Sequence, residues 1–276
     1  MYAQADKYVF VVSPGRSGTN YLYNIFRCVD DVCAVHEPEH EYARFSPLRP
    51  QLWNLKDTPI ARSRDQRRKL KLSQISDLLS ETSASVYAET NPMFSTLWHD
   101  VILDEFTGKD VVVIVLRRNP VEVLKSLLDL GWFVDRDGND WMVTAYSVNS
   151  LITPPMPEHD ATPFDLVTGY LLNVEMYARR IAEISRRRGY KLVELYSDRL
   201  FGNVEAITQF LRQCGLEPDS RELAGVAAEK KNKAAAKNKR FDVPLDVCAD
   251  RLMAHLKRYD EKGLARPDLG YPGKGW

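Results

Sequence analysis

Tyr8-Val9-Phe10-Val11-Val12 runs directly into Ser13-Pro14-Gly15-Arg16-Ser17-Gly18-Thr19-Asn20-Tyr21-Leu22. The first five residues read as a buried strand, the middle as a tight glycine-bearing turn, and the end as the start of a helix. This arrangement makes an anion site, because glycines let backbone N–H groups converge and the helix N-terminus adds partial positive charge. Gly15, Arg16, Ser17, Gly18, Thr19 and Asn20 are thus candidate phosphate- or sulfate-binding residues. The turn is not a Walker loop, which needs G-x-x-x-x-G-K followed by Ser or Thr. Its cation is Arg16, two residues before Gly18, and no lysine precedes Thr19.

Outward from this turn, apolar runs alternate with helical patterns. Thr19 to Cys28 reads as a helix, Val32 to Val35 as a short strand, and 44–72, rich in Pro and Arg, as an irregular excursion. Ser73 to Ser80 reads as a short helix, Ser85 to Ala88 as a strand, and Phe94 to Phe106 as a helix. Val111 to Leu116, fully apolar and bounded by charge, has the character of a parallel strand covered on both faces. Asn119-Pro120 opens a helix to Leu130. A helix over Trp141 to Leu151 is expected inside an otherwise irregular stretch, 131–163. Phe164 to Arg188 is a long amphipathic helix, Lys191 to Tyr196 a strand, Val204 to Cys214 a helix ending at Gly215, and Leu245 to Lys262 a last helix. The alternation predicts an α/β three-layer sandwich with a central, mostly parallel sheet and right-handed crossovers. Ligands then belong beyond the carboxyl ends of the strands.

Composition narrows the function. The chain has 276 residues, 44% hydrophobic, with 38 Lys plus Arg against 38 Asp plus Glu. One large domain over 1–276 is expected, with a helical C-terminal extension. Zero net charge gives wholesale nucleic-acid binding no electrostatic support. Four irregularly spaced cysteines (Cys28, Cys33, Cys214, Cys248) predict a reducing compartment without a disulfide framework. No run is long enough for a membrane span, and the first strand starts too early for a signal peptide, so a cytoplasmic location is expected.

Three further pieces fall at strand ends. Arg117-Arg118-Asn119-Pro120 closes the Val111 strand, with Ser126 eight residues after Arg118. Two helical turns put Ser126 on roughly the same side as the helix start, so a guanidinium, a hydroxyl and a helix N-terminus can surround a second anion. Glu37 follows the Val32 strand. Tyr196 follows the Lys191 strand in Leu-Tyr-Ser-Asp-Arg-Leu.

Ser-Pro-Gly-Arg-Ser-Gly-Thr-Asn-Tyr-Leu resembles the 5′-phosphosulfate loop of sulfotransferases that use 3′-phosphoadenosine 5′-phosphosulfate (PAPS). Arg118-Asn119-Pro120 with Ser126 resembles that family's 3′-phosphate motif, and 195–200 its Tyr-Glu-Asp-Leu segment, whose tyrosine approaches the adenine. The matches span residues 8 to 200 in family order. The resemblance implies a P-loop NTPase-like core and transfer of a sulfuryl group from PAPS to an acceptor hydroxyl or amine, with PAP as product and no metal. It implies Arg16 as stabiliser of the transferring group, Arg118, Ser126 and Tyr196 as nucleotide ligands, and a basic lid at 229–240. Glu37 looks like the glutamate base of the family's protein-tyrosine branch, and His36 is the alternative base. Glu89 is a candidate for orienting the acceptor. The 131–163 segment is expected on the acceptor side. Small molecules, glycans and peptides all remain open as acceptors, and the oligomeric state is unreadable. A Mg-dependent nucleotide or small-molecule kinase and a non-catalytic nucleotide-binding module are the alternatives.

Several motifs have plainer readings. His36-Glu37-Pro38-Glu39-His40 fits H-E-x-x-H, but Pro38 disfavours the continuous helix that a zinc site needs. Asp135 to Asp140 suggests a calcium loop, yet the glycine is misplaced and Tyr146 holds the twelfth position. Arg62, Arg64, Arg67, Arg68, Lys69 and Lys71 read as a solvated face, with docking of an anionic acceptor as the alternative. The 229–240 run has a solvated face and nucleic acid as alternatives. Trp132, Phe133, Trp141 and Tyr146 read as packing before substrate platform.

Overall fold

The structure, a computed structural model, describes residues 4–38, 54–133, 141–218, 220–228 and 242–269. Five strands, β1 (Lys7–Val12), β2 (Val32–His36), β3 (Val86–Thr90), β4 (Asp110–Arg117) and β5 (Lys191–Tyr196), form one sheet in the order β2-β3-β1-β4-β5. Every pairing is parallel. Parallel strands require crossovers, and the crossover helices bury both faces of the sheet.

Alternation along β1 sorts the two faces. Tyr8, Phe10 and Val12 point into one core with Leu72, Ile75 and Leu79 of helix α2 (Arg64–Thr82), Ile102 of α3 (His99–Glu105), and Tyr177 and Ile181 of α5 (Pro163–Arg188). Val9 and Val11 point the other way, against Leu22 and Ile25 of α1 (Thr19–Phe26), Phe210 of α6 (Val204–Gln213) and Leu223 of α7 (Ser220–Ala228). A third cluster lies apart from β1. There Leu124 and Leu127 of α4 (Pro120–Asp129) and Leu172 of α5 meet Leu252, Leu256 and Tyr259 of α8 (Leu245–Glu261). The molecule is thus the expected three-layer α/β sandwich, its parallel sheet extended by a helical C-terminal packing unit.

Four local expectations are corrected. The 44–72 excursion and the short Ser73–Ser80 helix are replaced over the described residues by a short 3₁₀ turn, Ile60–Ser63, and the 19-residue helix α2. Arg67 and Lys71 are fully buried there, not a solvated face. Arg67 pairs with both carboxylate oxygens of Asp100 at 2.7 Å and with the Leu97 carbonyl. No helix forms over Trp141–Leu151, where turns and bends take its place. Side chains there compete for the backbone: Ser147 Oγ accepts the Thr144 N–H at 3.0 Å, and Asn173 Oδ1 accepts the Leu151 N–H at 2.7 Å. Phe94–Trp98 is a π-type turn ahead of α3, so that expected helix is split in two.

Candidate active site

The chain leaves β1 toward β3 and β2 but leaves β4 toward β5, so the sheet's switch point lies between the carboxyl ends of β1 and β4. Such a crevice is where open α/β sheets bind ligands. The Ser13–Gly18 turn rises from one side of it and Arg118 from the other.

The turn is built on left-handed backbone. Arg16 has φ +70 and Gly18 φ +96. Glycine is favoured at 18 by its left-handed angle, and a Cβ there would also press on Ser197 Cβ at 3.3 Å. Gly18 caps α1 without a side chain, and the first helical bond is Leu22 N–H to the Gly18 carbonyl at 3.0 Å. The N–H groups of Thr19, Asn20 and Tyr21 therefore have no acceptor within the helix. The hydroxyls of Ser13, Ser17 and Ser197 are buried without a hydrogen-bond partner. Buried polar atoms are normally satisfied, so this concentration around one turn marks a place for a polar ligand.

The two predicted anion motifs meet here. Arg118 Nη1 donates to the Arg16 carbonyl at 3.2 Å, and Arg16 Nε donates to Ser126 Oγ at 3.0 Å. Arg118 also pairs with Glu122 at 2.6 Å, one helical turn on. Burial and then the Arg118 charge draw the Arg16 guanidinium below its ordinary value, with Glu37 pulling the other way. Arginine still stays charged at neutral pH. The terminal nitrogens of Arg16 carry four N–H groups with no partner among the described residues. By contrast Arg117 is committed to structure, bonded to Glu175 at 3.0 and 3.1 Å and to Glu194 at 3.1 Å.

Beside the turn lies a cavity of about 230 Å³. Gly15, Arg16 and Gly18 to Tyr21 form one wall, His36 and Glu37 a second, and Trp132, Trp141 and Phe201 the remainder. His36 Nδ1 lies 2.7 Å from the Thr90 carbonyl oxygen and 3.0 Å from Thr90 Oγ1. A carbonyl only accepts, so Nδ1 carries the proton and Nε2 of the neutral ring is the basic nitrogen. Nε2 is 3.7 Å from Glu37 Oε1. Glu37 sits on left-handed backbone at φ +48, as Arg16 does, and such strain collects at functional sites.

Not every expectation lands in the cavity. Tyr196 ends β5 opposite Arg117 in register, with the Arg199 guanidinium 5.1 Å from its ring centre, and does not line the cavity. Glu89 lies within β3 rather than beyond it and is wholly buried. It accepts from Lys71 at 2.6 Å, Tyr87 at 2.8 Å and Asn91 at 2.8 Å, so it is a structural anchor and not an acceptor contact. Trp132 and Trp141 line the cavity, edge to face at 5.9 Å, whereas Phe133 is core. Among the described residues no cluster of His, Cys, Asp or Glu is arranged to hold a metal. The 229–240 run, Asp135 to Asp140, and Glu39 and His40 lie outside the described residues. Sequence reasoning missed Thr90, Phe201 and Tyr170, the last of which accepts the Gly15 N–H at 3.0 Å from the middle of α5.

No family model matches the chain, and no curated protein matches it in sequence. Its trace is similar to the sulfotransferase domain of the Synechococcus PCC 7002 olefin synthase, at 14% identity over 96% of this chain and 98% of that one, TM-score 0.46. It is likewise similar to a sulfotransferase from Alicyclobacillus acidocaldarius, at 14% identity over 94% and 96%, TM-score 0.47. Retinol dehydratase, solved with androsterone and the inactive cofactor PAP, matches at 14% identity over 98% and 84%, TM-score 0.46.

Proposed function

We propose that the protein is a sulfotransferase that moves a sulfuryl group from PAPS to an acceptor hydroxyl or amine. The carrying observation is the contact of Arg118 with the Arg16 carbonyl at 3.2 Å, which brings both anion motifs to one crevice within reach of a single nucleotide. The turn and the start of α1 hold the 5′ anionic end, and Arg118 with Ser126 holds the 3′-phosphate, with Tyr196 toward the base. Ser126 Oγ accepts from Arg16 Nε at 3.0 Å, so its own proton is left to donate to the 3′-phosphate while it holds the Arg16 side chain.

The acceptor oxygen or nitrogen attacks sulfur, the bond from sulfur to the bridging oxygen breaks, and PAP departs with that electron pair. Sulfuryl carries less charge than phosphoryl, so the fixed guanidinium of Arg16 suffices to stabilise the charge that develops on the leaving oxygen. The acceptor's proton passes to a base on the opposite cavity wall. Glu37 is that base in our reading. A second reading gives the role to His36, favoured by its Nδ1–H bond to Thr90, which aims the lone pair of Nε2 away from β3. Glu37→Gln and His36→Asn separate the two, since only the base variant loses turnover without losing nucleotide affinity. Trp132 and Trp141 support an acceptor held from the 131–163 side. Four buried, free cysteines support a reducing compartment.

Equilibrium binding of PAP, with ATP·Mg²⁺ as competitor, tests the proposal. Tight PAP binding that ATP·Mg²⁺ does not displace is expected. Preference for ATP·Mg²⁺ would favour the kinase alternative and end this one.

A further inference from the structure

The Gly15 N–H is the first donor of the anion turn, yet it is already taken: Tyr170 Oη accepts it at 3.0 Å. A phenol has one proton of its own to give, and that of Tyr170 has no acceptor among the described residues. The ring is 2% exposed, so water does not readily serve instead. The hydroxyl lies 3.9 Å from where a Gly15 side chain would begin, beside Trp132 at 3.4 Å, and Trp132 is a wall of the cavity. The phenol also feels the carboxylate of Glu37, which lines that cavity. Burial, and then that charge, raise its pKa against the pull of the Gly15 bond, so it remains a protonated donor throughout the physiological range. Ser13 and Ser17, on the same turn, are buried with idle hydroxyls as well.

We propose that Tyr170 is a ligand-contacting residue of this site, whose hydroxyl accepts the Gly15 N–H and donates its own proton to the 5′ anionic group held in the turn. This rests on the nucleotide reading above. It places one donor of the anion site 155 residues from the turn, on α5, and ties the turn to that helix.

Tyr170→Phe removes one oxygen and keeps the ring. Wild type and variant are each titrated with PAP, which carries both anions, and with adenosine 3′-phosphate, which lacks the 5′ anion. A hydrogen bond to a charged group is worth about a 10- to 100-fold change in affinity. Tyr170→Phe should lose that factor for PAP and bind adenosine 3′-phosphate within about 2-fold of wild type. Unchanged PAP affinity, or an equal loss for both ligands, overturns the proposal, the second outcome assigning Tyr170 to structure alone. If Tyr170→Phe does not fold, 3-fluorotyrosine at position 170 keeps both bonds with a more acidic proton. It should tighten PAP alone, and no change, or the same change for both ligands, overturns the proposal. Wild type that binds neither ligand overturns the nucleotide reading itself, a result distinct from either failure of Tyr170.

Discussion

Replacing Lys71 by Met tests the buried ion pair beneath the site. Lys71 and Glu89 are both 0% exposed, and their charged atoms are 2.6 Å apart. Lys71 also donates to Gln74 at 2.9 Å and sits 5.0 Å from the Trp98 ring centre. Met fills similar space but leaves Glu89 charged, buried and without its cationic partner Lys71. Breaking such a pair from one side costs about 3–5 kcal/mol. At about 2–4 °C per kcal/mol for a chain of this size class, the melting temperature should fall by roughly 6–20 °C. Adding Glu89→Gln removes the stranded charge while keeping an oxygen for Tyr87 or Asn91. The double variant should therefore recover more than half of the loss. Thermal unfolding at pH 7, followed by tryptophan fluorescence to which Trp98 contributes, measures both. A single variant within about 2 °C of wild type, or a double variant no better than the single, would refute the assignment of Glu89 as a partner-dependent buried charge. The consequence for function is indirect. Glu89 holds Asn91, and Thr90 between them holds His36, so nucleotide-independent loosening of the second cavity wall should accompany the stability loss.

Gly18→Ala forces a Cβ onto left-handed backbone and against Ser197 and Phe201. It should cost about 1–3 kcal/mol of stability and weaken PAP at least 10-fold, both read from thermal melts with and without PAP. Arg16→Ala should slow single-turnover transfer from PAPS by roughly 10²–10³-fold, with PAP affinity changed far less; equal losses in both would make Arg16 a binding residue only. Asp165 is pushed up by burial, but hydrogen bonds from His255 and Thr162 outweigh this and hold its carboxyl well below the usual range. A folded-state pKa below the unfolded value gives stability that is full above about pH 4 and is lost as acid protonates the group. Asp165→Asn should therefore lower stability at pH 7 and flatten its fall below about pH 4, in urea melts across that range.

The parts legible in the sequence were those in which one local pattern determines structure. The five apolar residues of β1, the glycine turn and the apolar run of β4 carry their fold in their own side chains, and they account for the sheet and the anion turn. Helical periodicity related Arg118 and Ser126 in the sequence; that each would contact Arg16 was not legible. What failed depended on distant partners. Arg67 and Lys71 look like surface residues until Asp100 and Glu89, 33 and 18 positions away, neutralise them inside the core. Trp141 to Leu151 looks helical until Ser147 and Asn173 take up its backbone N–H groups in turns. Tyr170 gave no signal, since a tyrosine within an amphipathic helix is ordinary core until its hydroxyl is found on Gly15.

The proposed function rests on a single bisphosphate spanning two pockets beside Arg16, Arg118 and Ser126. Calorimetric titration of the wild-type protein with PAP, adenosine 5′-phosphate and adenosine 3′-phosphate measures it directly. With each anion held by charge-assisted bonds, PAP should bind at least about 100-fold more tightly than either monophosphate. PAP that binds no better than the tighter of the two would mean that only one pocket takes an anion, and the account would be contradicted.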